Sequence, residues 1–159
     1  MRSSRWASAT LAPVVLAGLL AGCGAASAAV GPNHTSCGGS GQADVVVELG
    51  NGHVVRSCVP VGAAGIGAET LMRRSGIEFA LQHFSYGDAV CQIDQDPRSY
   101  SQCFGSGQPY WALYTWAGKG PWRSATTGIS DIRVKPGGAL GWHFGTGTPA
   151  APPKPPLAG

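Results

Sequence analysis

Charge is the scarcest resource in this 159-residue chain: only 12% of the side chains are charged, 11 Lys+Arg against 8 Asp+Glu. No basic stripe is present, so nucleic acid is not an expected partner, and no acidic run suggests a solvating tail. Catalytic and metal signatures are missing too. There is no G-x-S-x-G nucleophile elbow. His34, His53, His83 and His143 stand alone, without H-x-H or H-E-x-x-H spacing, so metal binding through histidine has no support. No C-x-x-C pair occurs. Aromatic residues are few, and five of them crowd into Tyr110–Trp122. No L-P-x-T-G sorting motif appears. The one long apolar run, Ala7–Leu20, is short for a spanning helix.

That run explains itself as a leader. Arg2 and Arg5 precede it, and Leu20-Ala21-Gly22-Cys23 follows, a lipobox whose small residues admit the peptidase and whose Cys23 thiol takes a diacylglycerol. Ala26-Ser27-Ala28 offers a second exit to ordinary signal peptidase. The expectation is an exported chain, anchored by lipid at Cys23 to the outer face of the cell membrane, or secreted if cleaved after Ala28. Residues 1–23 read as leader and residues 24–42, small and polar, as a flexible tether. Residues 148–159, "TPAAPPKPPLAG", read as a proline-rich disordered tail.

Either route removes Cys23 from the thiol pool. Cys37, Cys58, Cys91 and Cys103 remain, an even number in an oxidising compartment, which points to two disulfides. Three connectivities exist; Cys37–Cys58 and Cys91–Cys103 close the short local loops. Zinc is the rival use of these thiols, disfavoured by their spacing.

The domain between, residues 43–147, opens with a β-branched run, Ala43–Leu49. Gly50-Asn51-Gly52 turns it, and His53–Val59 returns as a hairpin. Ala68, Leu71, Met72 and Ser75 fall at i, i+3, i+4, i+7. Glu69 lies in the first turn, Arg73 and Arg74 in the last, and Gly76 follows as the cap: one short helix. Strands resume at Ile77–Ser85, Ala89–Ile93, Tyr110–Ala117, Trp122–Thr127, Ser130–Val134 and Ala139–Phe144. The class is α+β, a mixed sheet with one short helix packed on one face.

Within that order, Thr70-Leu71, Tyr110-Trp111-Ala112-Leu113-Tyr114, Gly128-Ile129-Ser130-Asp131, Lys135-Pro136-Gly137-Gly138 and Gly141-Trp142-His143-Phe144 follow a recognisable pattern. It resembles the β-grasp-like C-terminal domain of the transcobalamin and intrinsic-factor family and its bacterial secreted members. The resemblance implies a β-grasp-like fold, a non-enzymatic role, and cobalamin or another corrinoid as ligand. It also implies a partner, a transporter or an α/α-barrel protein, to cover the rest of the ligand. Gly138 stands where the family's late turn carries an acidic residue, and the α/α-barrel is not in this chain.

Strand alternation divides the aromatic stretch. Trp111, Leu113 and Thr115 share the face expected against the helix. Tyr110, Tyr114 and Trp116 share the other, with Trp122 crossing from the next strand. If that second face is open, these four rings form a binding platform; otherwise they make a second small core under residues 94–109. Asp88, Asp94 and Asp96 read as solvated turn residues, and Gly62–Gly67 as linker glycine. Two functions follow: a binding domain, or a cell-envelope structural and protein-interaction module with no small-molecule ligand.

Overall fold

The computed structural model describes Cys37, residues 41–85 and residues 87–153. The leader with Cys23, the tether residues 24–36 and the end of the tail, 154–159, lie outside the described residues.

The first strand, β1 (Gln42–Glu48), pairs antiparallel with β2 (Val54–Pro60) through the Gly50–Gly52 turn. β2 is an edge, where Pro60 costs no inner ladder bond. The short β3 (Ile66–Gly67) leads into α1 (Ala68–Ser75). No side chain caps the helix start; the Ala68 N–H donates instead to the Ile132 carbonyl at 2.9 Å. Glu69 and Arg73 pair one turn apart at 2.6 Å, and Gly76 ends the helix at φ 75°, a conformation open to glycine without a Cβ penalty.

A separate hairpin follows, β4 (Phe79–Phe84) with β5 (Gly87–Ile93). The chain then enters β6 (Tyr110–Trp116), the two-residue β7 (Arg123–Ser124), a 3-10 turn at Ile129–Asp131, β8 (Arg133–Val134) and β9 (Ala139–Gly145). β3 pairs with β8. Gly65, at φ 76°, makes that crossing feasible: a Cβ there would sit 2.6 Å from the Val134 carbonyl oxygen.

The main sheet runs β2-β1-β9-β6-β7, with β1 and β9 parallel at its centre. A hairpin, a helix across one face, and a last strand beside the first make this β-grasp-like. α1 lays Ala68, Leu71 and Met72 on Ala43, Val45 and Val47 of β1, Leu140 and Trp142 of β9, and Trp111 of β6. Ile93 of β5 and Ile129 close the same core. Both expected disulfides are present, Cys37–Cys58 and Cys91–Cys103.

Two domain limits move. Cys37 is buried and bonded to β2, and Gln42 already belongs to β1, so the packed region begins inside the expected tether. At the other end Pro149 and Pro152 are buried, so the packed region runs past 147. Proline-rich sequence has no ladder of its own to announce order, and here packing supplies the order instead.

Candidate ligand site

The expected aromatic platform is not open. Alternation holds, with Trp111 in the core at 4% exposure, but the opposite face is roofed. Tyr114 and Trp116 are 7% and 6% exposed. The Tyr114 hydroxyl donates to the Pro149 carbonyl, and burial pushes its pKa above the usual tyrosine value. Trp116 donates its indole N–H to the Gly120 carbonyl at 3.0 Å and meets the Trp122 ring at 6.3 Å. Trp122 folds over Gly141 of β9. Tyr110 is half-buried; its hydroxyl donates to the Gly147 carbonyl at 2.8 Å and its ring meets Phe104 at 5.8 Å. The roof is therefore residues 147–152 and Trp122, and from the 94–109 loop Phe104 reaches this face at Tyr110.

A cleft does open along the outer side of β6. β7 stops opposite Tyr114, and one more bond, Ala125 N–H to the Leu113 carbonyl at 2.8 Å, continues the ladder. Antiparallel alternation turns the backbone of Trp111 to that same side. Among the described residues no strand pairs with it there. The space beyond, about 460 Å³, lies between β6, Asp88–Val90 of β5 and residues 124–129. It falls within the range of small-molecule sites, about 300–1,000 Å³.

Trp142 lines this cleft, and its indole Nε1 is buried without a hydrogen-bond partner among the described residues. Strand alternation through Leu140, Trp142 and Phe144 could have marked this residue as core-facing; only the folded arrangement reveals the unpaired donor. Such a donor costs about 1–3 kcal/mol unless something supplies an acceptor.

At the cleft rim the Asp88 carboxylate gathers two partners: His83 Nδ1 lies 2.7 Å from Oδ1, and the Ser130 hydroxyl donates to Oδ2 at 3.1 Å. These hydrogen bonds, His83 first, hold the Asp88 pKa below its ordinary 3.8. The order is serine–carboxylate–histidine. A nucleophile needs the imidazole in the middle to take the hydroxyl proton, so this arrangement ties β4, β5 and the 3-10 turn together and does not activate Ser130. Asp96 likewise serves structure: its Oδ2 accepts the Gly50 N–H at 2.7 Å.

Across the sheet, Cys37, Asp44 and Cys58 offer two sulfurs and a carboxylate oxygen within 4.8 Å of one another. Both sulfurs are consumed by the disulfide, which leaves no thiolate for a metal. Asp44 is 8% exposed; burial raises its pKa above 3.8, against smaller lowering effects from the Cys37 backbone and Arg56. A carboxyl whose folded pKa is raised stabilises the fold while protonated, and that contribution disappears as pH rises through the raised value. Asp44→Asn should therefore raise the neutral-pH melting temperature by about 3 °C, as expected for a gain below about 1 kcal/mol, and flatten its pH dependence above 3.8. Melting curves of both proteins from pH 4 to 8 check this; parallel curves would contradict it.

No family model matches the chain, and no curated protein does. Among solved structures, a Ruminococcus gnavus chain described as a "putative metal binding protein" aligns with 67% of this chain and 97% of its own length. The identity is 17% and the TM-score 0.48.

Proposed function

We propose that this chain is an exported, lipid-anchored, non-enzymatic binding domain that takes a small ligand in the cleft beside β6. The observation that carries the reading is Trp142, which lines the cleft and whose indole N–H is buried without a partner among the described residues. The wall mixes apolar side chains with Asp88, Thr126, Thr127 and Asp131, and an unpaired donor behind it favours a ligand with an apolar body and an exposed acceptor. Leu113, Val90 and Ile129 supply the apolar lining, and the unpaired side of β6 supplies further backbone partners.

The transcobalamin-like motifs make a corrinoid the first ligand class to try. Its rim carries amide carbonyls that match the indole donor. The cleft would hold one edge of such a ring, and an α/α-barrel protein or a transporter would cover the rest. None of the described histidines lines the cleft, so the cobalt would draw no axial imidazole from it.

Calorimetry and visible spectroscopy of the mature, disulfide-intact chain with cobinamide and cobalamin test the reading. Binding in the micromolar range is expected, weakened about 3- to 10-fold in Trp142→Phe, the worth of one neutral hydrogen bond. The unliganded variant should stay close to the native chain in stability, because removing an unpaired donor offsets the volume lost from the core. Absence of heat and of spectral change at high micromolar concentration rejects the corrinoid. Membrane fractionation of Cys23→Ala is the localisation arm; retention on membranes rejects the anchor.

A further inference from the structure

The roof over the aromatic face has its own chemistry. On that face Tyr114 of β6 stands opposite Gly141 of β9, and Tyr110 opposite Gly145. Two glycines beside two tyrosines leave a trough where side chains would otherwise stand. The segment after β9 lies in it. A Cβ on Gly145 would meet the Pro149 ring at 3.4 Å, and one on Gly141 would meet Pro152 Cγ at 2.8 Å and the Trp122 ring at 2.9 Å. The two tyrosine hydroxyls donate to the carbonyls of Gly147 and Pro149.

Burial along the segment has a period of three. Pro149 and Pro152 are buried, while Thr148, Ala150, Ala151 and Pro153 are exposed. Three residues per turn is the repeat of the polyproline II helix, which makes no internal hydrogen bonds and leaves its carbonyls free. The sequence keeps the register at Pro155. Aromatic rings lining a groove, hydroxyl donors aimed at backbone carbonyls, and prolines every third residue are the elements by which domains read proline-rich peptides.

We infer that this face is a polyproline-binding groove, occupied in cis by residues 148–153, and that its partner in trans is a proline-rich segment of another polypeptide with prolines three apart. The resident segment competes at the high effective concentration that its short connection to β9 provides. The groove lies on the opposite face of the sheet from the helix; Tyr110, Tyr114 and Thr148 also border the cleft, but the proline contacts that define the groove are separate from it.

The test uses the mature chain with Pro149→Ala and Pro152→Ala, which opens the groove, and a synthetic peptide spanning Thr148–Gly159. The peptide should quench the fluorescence of Trp116 and Trp122 with micromolar affinity, at least ten-fold tighter than for the native chain. A peptide carrying the same two alanines should not bind. Equal binding by both peptides, equal binding to both chains, or no binding to the folded variant overturns the inference. Should the variant lose its near-ultraviolet dichroism, the native chain is titrated with excess peptide while the Trp122 indole ¹⁵N signal is followed. A shift of that signal supports the groove, and an unchanged spectrum overturns it. A native dimer that the peptide dissociates also supports it and makes the partner a second copy.

Discussion

Replacing Cys37 and Cys58 together by alanine should remove about 3 kcal/mol of stability, the chain-entropy value for a loop of this length. The bridge spans 21 positions and ties the residues ahead of β1 to β2. β2 needs the tie, because as an edge strand it has β1 alone as its ladder neighbour. In a domain whose total stability lies within about 5–15 kcal/mol, the melting temperature should fall by more than about 10 °C. The bridge also covers Asp44, whose register partner is Cys58 and whose Oδ1 lies 3.0 Å from the Cys37 sulfur. Opening it lets water reach that carboxyl, so the double variant should lose part of the acid-side stabilisation that Asp44 gives the native chain. Calorimetric melting of native and variant chains at pH 4 and pH 7 measures both effects. A melting temperature within about 2 °C of native would show that packing alone secures β2.

Local signals carried much of this architecture. The valine run of β1, the Asn51-Gly52 turn and the α1 pattern with its Gly76 cap each depend on a few neighbouring residues, and each lies where the pattern puts it. The short loops fixed the disulfide partners for the same reason. The aromatic face is covered largely from far along the chain: the Tyr110 and Tyr114 hydroxyls reach carbonyls 37 and 35 positions on, at Gly147 and Pro149, after β9 has crossed the sheet. Composition cannot separate a proline-rich tail in water from one in a groove, since neither has a ladder. One signal of that groove is present in the sequence. Pro149, Pro152 and Pro155 keep a three-residue register that a mere spacer does not need. The cleft had no linear signature. It arises where β7 ends early and residues 124–129 pass between β6 and β5. Asp44 was a missed clue of another kind, an acid inside an otherwise buried β-branched run.

Trp111→Ala should be the most damaging single substitution among the tryptophans, costing about 3–5 kcal/mol. Trp111 and Trp142 both line the cleft, and both belong to the main core. Their polar atoms separate them. Trp111 donates its indole N–H to the Asp96 carbonyl at 3.2 Å, while Trp142 donates to no described residue. Trp111 also packs against Phe144, its neighbour on β9, with ring centroids 5.1 Å apart. Through Asp96, which holds the Gly50 N–H, it links β6 to the β1–β2 turn. Truncation removes the ring from the core and leaves the Asp96 carbonyl without that donor. Trp111→Phe should restore most of the packing and still cost about 1–2 kcal/mol for the broken bond and lost volume. The matching change at Trp142 loses the same volume but removes an unpaired donor, so its net cost to the unliganded fold should be small, and it should weaken the ligand instead. Urea denaturation of Trp111→Ala, Trp111→Phe and Trp142→Phe, with and without the best-binding probe, separates the two roles. Equal losses in the two phenylalanine variants without ligand would mean that the Trp142 N–H has a structural partner after all, and the donor-in-cleft reading would fall with it.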